Sequence, residues 1–237
     1  MANFDDMSNS IISGLNSTHL TESEKAIVNQ KLKTYVGTSR QPTVRGMYLN
    51  LGSFIMIDIK SYGCWCNFNN GASGKGAPVD DIDMLCKNLF GGYKCANVDD
   101  VFCDATTVSY NSPDGFTSLP VTIGEEFQAC TDANPGNTCG ASACAVEKFF
   151  IAKLLRLLIS EGTVGLDASF KHESFDPTVQ CNVQTPTADL PAITECCGTY
   201  PSRMPYRTSF RGCCDNKLFS VATHCCADDQ VLDVGTC

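Results

Sequence analysis

Hydrophobic and polar positions change their rhythm along this chain. Residues 21–37, TESEKAIVNQKLKTYVG, place apolar side chains at Ala26, Ile27, Leu32, Tyr35 and Val36. Thr21 and Glu24 stand in capping-box spacing and Gly37 follows as a stop, so an amphipathic helix is predicted. A second helix is predicted over residues 45–60, where Met47, Leu51, Phe54, Ile55 and Ile59 share a face. After a Gly- and Asn-rich loop, Pro78 suits the first turn of a third helix, with Asp80 and Asp81 near its positive end. That helix is expected to run to Phe90 and stop at Gly91-Gly92. Residues 97–140 are mostly turn formers with short β-prone runs, TTVSY and LPVTI, which predict a small hairpin or wing. A long helix is expected from near Ser142 through Leu158, and residues 163–194 show no convincing period.

From Glu195 onward the informative feature is cysteine spacing. The segment reads CCGTYPSRMPYRTSFRGCC, DNKLFSVATHCC, ADDQVLDVGTC, with intervals of 15, 10 and 10 residues between successive cysteine groups. So few apolar residues cannot make a core, and cross-links must hold the segment together.

Composition narrows the class. A hydrophobic share of 43% allows a packed core. Sixteen cysteines point to an oxidising compartment, hence to a secreted, extracellular protein. Zinc is the competing use of clustered cysteines, but C-x2-C pairs are missing and there are only three histidines. A net charge of −9 argues against nucleic acid and against anionic lipid as partners. The best apolar run, FFIAKLLRLLI at residues 149–159, is short and carries Lys153 and Arg156, so no transmembrane segment is expected. The N-terminus has no signal-peptide pattern, which implies for a secreted protein that the signal was removed or lies outside this sequence. Asn16, in NST, is the glycosylation candidate.

Ordered motifs carry a family resemblance over residues 45–181. YGCWC is followed by PVDDIDMLC, YKC and then CTDANPGNTCGASACAVE opening a long helix. In this order they resemble the secreted phospholipase A2 family, whose strings run close to YGCYCG, PVDDLDRCC and HDNCY. The resemblance implies a mainly α, disulfide-rich fold: two long antiparallel, disulfide-linked helices plus a small β-wing. It implies pairs Cys66–Cys86, Cys103–Cys139, Cys130–Cys144 and Cys64–Cys181. Two further family bridges would fall at Leu85 with Lys153 and at Gly92 with Val146, where both partners are absent together. Around this domain stand an N-terminal helical extension, residues 1–44, and a cysteine-doublet module, residues 182–237. The module resembles the galaxin-type proteins of extracellular matrix.

The family's enzymes use a His to activate water and the adjacent Asp to hold calcium, which polarises the ester carbonyl. Ungapped alignment puts Leu89 and Phe90 at those positions, and Glu147 where an Asp orients the His. Asn67, Phe68, Asn69 and Asn70 replace the glycine-rich calcium loop, so the resemblance implies neither metal nor cofactor, and no catalysis. His172 and His224 are the remaining candidate bases, outside the two-helix core. Nine cysteines fall in residues 45–181 and seven in the tail, so Cys95 is the candidate for an inter-module or intermolecular bridge. The expected role is structural: a self-assembling subunit of an extracellular filament, matrix or biomineral. Its partners would be copies of itself or other matrix proteins, with calcium mineral or a bound lipid as further candidates. The alternative is a non-catalytic lipid- or protein-binding module, a carrier or toxin-like protein using the former substrate channel. Trp65 is expected in packing or as an interface anchor.

Overall fold

The computed structural model describes residues 59, 61–67, 74–111, 123–160, 166–181 and 193–237. The helix expected at 21–37, most of that at 45–60, and Asn16 lie outside these residues, as does the boundary at residue 44. Ile59 is helical and fully buried.

Two long helices form the centre. Helix α1, Asp81–Asp99, is capped by Asp80, whose carboxylate accepts from the amide of Asp83 at 2.8 Å. It does not stop at the glycines as expected, but runs through Gly91 and Gly92 for two further turns. Close approach explains why glycine sits there. A Cβ on Gly92 would lie 2.6 Å from a Val146 methyl, and one on Gly91 would meet the Met204 sulfur at 2.9 Å. The entropic cost of helical glycine, about 1 kcal/mol each, is offset by packing on both sides.

Helix α3, Thr138–Ser160, begins a turn earlier than Ser142, because Asn137 supplies the cap: its side-chain oxygen accepts from the Gly140 amide at 2.8 Å. Gly92 facing Val146, with Cys103 beyond α1 bonded to Cys139 in the first turn of α3, sets the two helices antiparallel. Their shared core contains Leu89, Phe90, Val146, Phe150 and Leu154. Among the described residues no disulfide joins the two helices directly. The expected linkage is corrected: the nearest bridge, Cys103–Cys139, starts from the loop after α1.

Of the two runs expected to form a wing between them, LPVTI lies outside the described residues except for Ile123. TTVSY forms no strand, its first two residues lying in a turn, and helix α2, Ile123–Ala133, packs on α3 through Cys130–Cys144. Asn134, 4% exposed, ties α2 to the preceding loop through the amide and carbonyl of Asn111, at 2.7 Å each. Its side chain replaces the ladder that a hairpin would have supplied.

Strands β1, Ser61–Tyr62, and β2, Cys66–Asn67, make a two-residue hairpin ahead of α1. After α3 the chain returns to this corner through a 3-10 turn, Ala168–Phe170, and a short helix α4, Pro177–Gln180, ending at Cys181. The tail is a series of hairpins: β3, Glu195–Cys197, with β4, Met204–Tyr206; β5, Arg211–Cys214, with β6, Lys217–Ser220; and β7, His224–Ala227, with β8, Gln230–Asp233. Asp215-Asn216 and Asp228-Asp229, all at positive φ, form two of the turns, a conformation the short side chains of Asp and Asn tolerate.

Candidate functional site

The site is built where the β1–β2 corner meets the start of α1. Gly63 turns the chain at φ 57°, and a Cβ there would lie 2.5 Å from the Asp83 carboxyl carbon, so only glycine fits. The amides of Cys64, Trp65 and Cys66 then converge on the Asp83 carboxylate at 2.9, 2.6 and 3.2 Å, and the amide of Val79 donates to it at 3.0 Å. Asp83 is fully buried, and this set of donors compensates its desolvation. Sequence reasoning passed over this residue. Its signal was DDID, where the acid three places after the cap Asp80 reaches back to the amides before the helix.

The corner is closed on its outer side as well. Tyr62 donates its hydroxyl to Asp80, and burial pushes its ionisation well above the ordinary tyrosine range, with the Asp80 carboxylate adding to the effect. Trp65 donates its indole N–H to the Gly76 carbonyl at 3.1 Å, while the Lys87 ammonium sits 5.1 Å from its ring. Cys64–Cys181 and Cys66–Cys86 lock the corner to α4 and α1. His172 lies at the corner, its ring Nε2 2.9 Å from the Gly63 carbonyl, and stacks on Phe175. His224 is far along the chain on β7, 3.6 Å from Asp233.

Two turns into α1 lie Leu89 and Phe90, 4% and 6% exposed. The following turn presents Tyr93, whose hydroxyl donates to Glu147 at 2.9 Å, and the Tyr110 hydroxyl reaches the other Glu147 oxygen at 2.5 Å. Glu147 is 7% exposed, so both hydroxyls serve to satisfy a buried carboxylate between α1, α3 and the loop before α2. The sequence reading identified Glu147 and missed its two tyrosine partners. Leu85 packs on the core, and Lys153 is exposed with its ammonium 5.5 Å from the Phe149 ring.

This arrangement braces a scaffold. Calcium needs about six to eight oxygen ligands, and among the described residues no group of three or more His, Cys, Asp or Glu is placed to hold a metal. Asp83, buried at the corner, is engaged by backbone amides and so is not free to take a cation.

Of the four further bridges, one joins the tail to this body. Cys95 on α1 bonds Cys196 on β3, so every one of the sixteen cysteines is paired within one copy. Beside it, Tyr200 is 8% exposed, stacks on Phe127 of α2 and donates to Asp99 of α1 at 2.9 Å. Arg203 also binds Asp99, at 2.8 Å.

Comparison with known proteins gives two relatives. The acidic phospholipase A2 KBf-grIB of Bungarus fasciatus is 47% identical over 36 residues, 15% of this chain and 22% of the snake protein. The phospholipase A2 of Ovis aries is 30% identical over 94 residues, 39% of this chain and 67% of the sheep protein. No family model matches, and no solved structure matches.

Proposed function

The chain belongs to the phospholipase A2 family, and from that premise we propose that it is a secreted, non-catalytic member whose scaffold serves as a self-assembling subunit of an extracellular filament, matrix or biomineral. One observation carries the reading. Leu89 and Phe90, at the positions where the family resemblance calls for a general base and a calcium ligand, are hydrocarbon and packed into the core. Neither can move a proton or ligate a cation. The surrounding polar groups brace the fold: Asp83 gathers amides, and Glu147 is held by Tyr93 and Tyr110.

Secretion is supported by eight disulfides, and no helix among the described residues is long and apolar enough to cross a membrane. The assembling role is supported by the sequence outside the lipase-like body, the 1–44 extension and the cysteine-doublet tail. Because all cysteines pair within one copy, contacts between copies are non-covalent. The burial of Leu89 and Phe90 weighs against the carrier reading, since they fill the interior rather than line a lipid channel.

Mass spectrometry of lipid extracted from the purified protein, beside electron imaging of the same sample under non-reducing conditions, tests this. Ordered polymers without stoichiometric lipid are expected. A monodisperse, lipid-loaded monomer would establish the carrier instead.

A further inference from the structure

Phe102 is 94% exposed and Val101 74%, yet the turn that presents them is tightly held. The Phe102 amide donates to the Asp100 carboxylate at 2.9 Å and the Cys103 amide to the Asp100 carbonyl at 2.8 Å. The Asn97 side chain donates to the Cys103 carbonyl at 3.2 Å, and Cys103–Cys139 anchors the turn to α3. A large aromatic fixed in water gains nothing for the fold of one copy. Fixing it beforehand does reduce the ordering cost of a contact. Its surroundings set the chemistry of the partner. Asp100 and Asp104 flank it in sequence, Asp99 being already paired with Arg203 of the same copy, and residues 97–105 carry no base. Hydrogen bonds from Thr106 hold the Asp104 carboxyl below the usual carboxylate range, so it stays charged. A net-anionic lipid surface would be repelled, and a basic protein surface attracted.

The chain itself offers such a surface. With Arg203 already paired to Asp99, residues 204–217 still carry Arg207, Arg211 and Lys217 against one acid, Asp215. Within this run Phe210, 54% exposed, meets Val221, 42% exposed, whose amide donates to the Phe210 carbonyl at 3.2 Å. The exposed Arg211 flanks them, and the Arg207 carbonyl holds the turn by accepting from the amides of Phe210 and Arg211, both at 3.0 Å. We infer that the acidic Val101–Phe102 tip of one copy docks on the basic Phe210–Val221 patch of a second copy. Tip and patch are different surfaces, so the contact is head-to-tail and repeats along a filament unless it closes into a ring. The inference rests on the self-assembly reading and supplies its contact.

Sedimentation velocity of the full oxidised chain across a concentration series tests it, using wild type, Phe102→Ser and Arg211→Glu. Both side chains are exposed, so both variants should keep the wild-type fold by circular dichroism. Wild type is expected to associate, more weakly at high salt, and each variant to lose about tenfold or more in association constant. A benzoylphenylalanine photo-cross-linker at position 102 should capture residues 207–221 of a neighbouring copy. Assembly unchanged in both variants, or capture elsewhere, would overturn this contact and leave the self-assembly reading standing. A wild type monomeric at every concentration would overturn both. Binding to phosphatidylcholine vesicles, lost in Phe102→Ser without any self-association, would assign the tip to a lipid surface and overturn the inference.

Discussion

Replacing Asp83 with alanine would leave the amides of Cys64, Trp65, Cys66 and Val79 without their common acceptor. A buried polar group left unsatisfied costs about 1–3 kcal/mol, so the variant should lose at least about 3 kcal/mol in urea unfolding. An unchanged midpoint would mean that these amides do not depend on the carboxylate. Tyrosine ionisation offers a second test at this scale. Tyr206 donates to Glu195 and is pushed up to about 12, first by that bond and then by burial. Tyr62 and Tyr200 are raised further, chiefly by burial. A raised folded value means the protonated form is favoured by the fold: this stability is complete below about pH 10 and is lost as pH rises through the folded values. Absorbance at 295 nm should therefore show these three among the seven tyrosines resisting titration at pH 10. A single step near pH 10 for all seven would contradict the packing. Leu89, Phe90 and Glu147 were legible as single letters against a family pattern. Asp83, Tyr93 and Tyr110 were not, because their roles depend on segments distant in sequence meeting in space.

The pairing of α1 and α3 turns on glycine. In sequence, Gly91-Gly92 reads as a helix stop, since glycine weakens helices locally. In the fold it is a contact surface, with Val146 over one residue and Met204 over the other. The tertiary neighbours outweigh the propensity, and no local window contains them. A Gly92 Cβ would stand 3.2 Å from that of Val146, slightly inside the 3.5–4.5 Å range of disulfides. The double substitution Gly92→Cys and Val146→Cys should form a ninth bridge with a small backbone shift, added to the eight present. Intact mass and thiol labelling would register it. Two labelled thiols in the folded protein would show the helices to be farther apart than described. TTVSY makes no strand among the described residues for a related reason: its composition favours one, but Asn134 and Cys130–Cys144 hold its neighbourhood as loop and helix.

Cross-links, more than a hydrophobic core, give the whole molecule its continuity. Each tail doublet bonds once toward the body and once onward: Cys196 to Cys95 and Cys197 to Cys213, Cys214 to Cys226, then Cys225 to Cys237. Cysteine counts alone required the body and tail, or two copies, to share a bridge. They could not say which, because pairing depends on where Tyr200 and Arg203 seat the first hairpin against Asp99. With that bridge inside the chain, the tail is laced to the lipase-like body, and Leu89 and Phe90 pack the interior at positions where the family resemblance implies chemistry. Hydrolysis of phospholipid vesicles by the oxidised, full-length protein, with and without millimolar calcium, tests that claim most directly. The account predicts no turnover above blank in either condition, whereas calcium-dependent hydrolysis by the pure protein would contradict it.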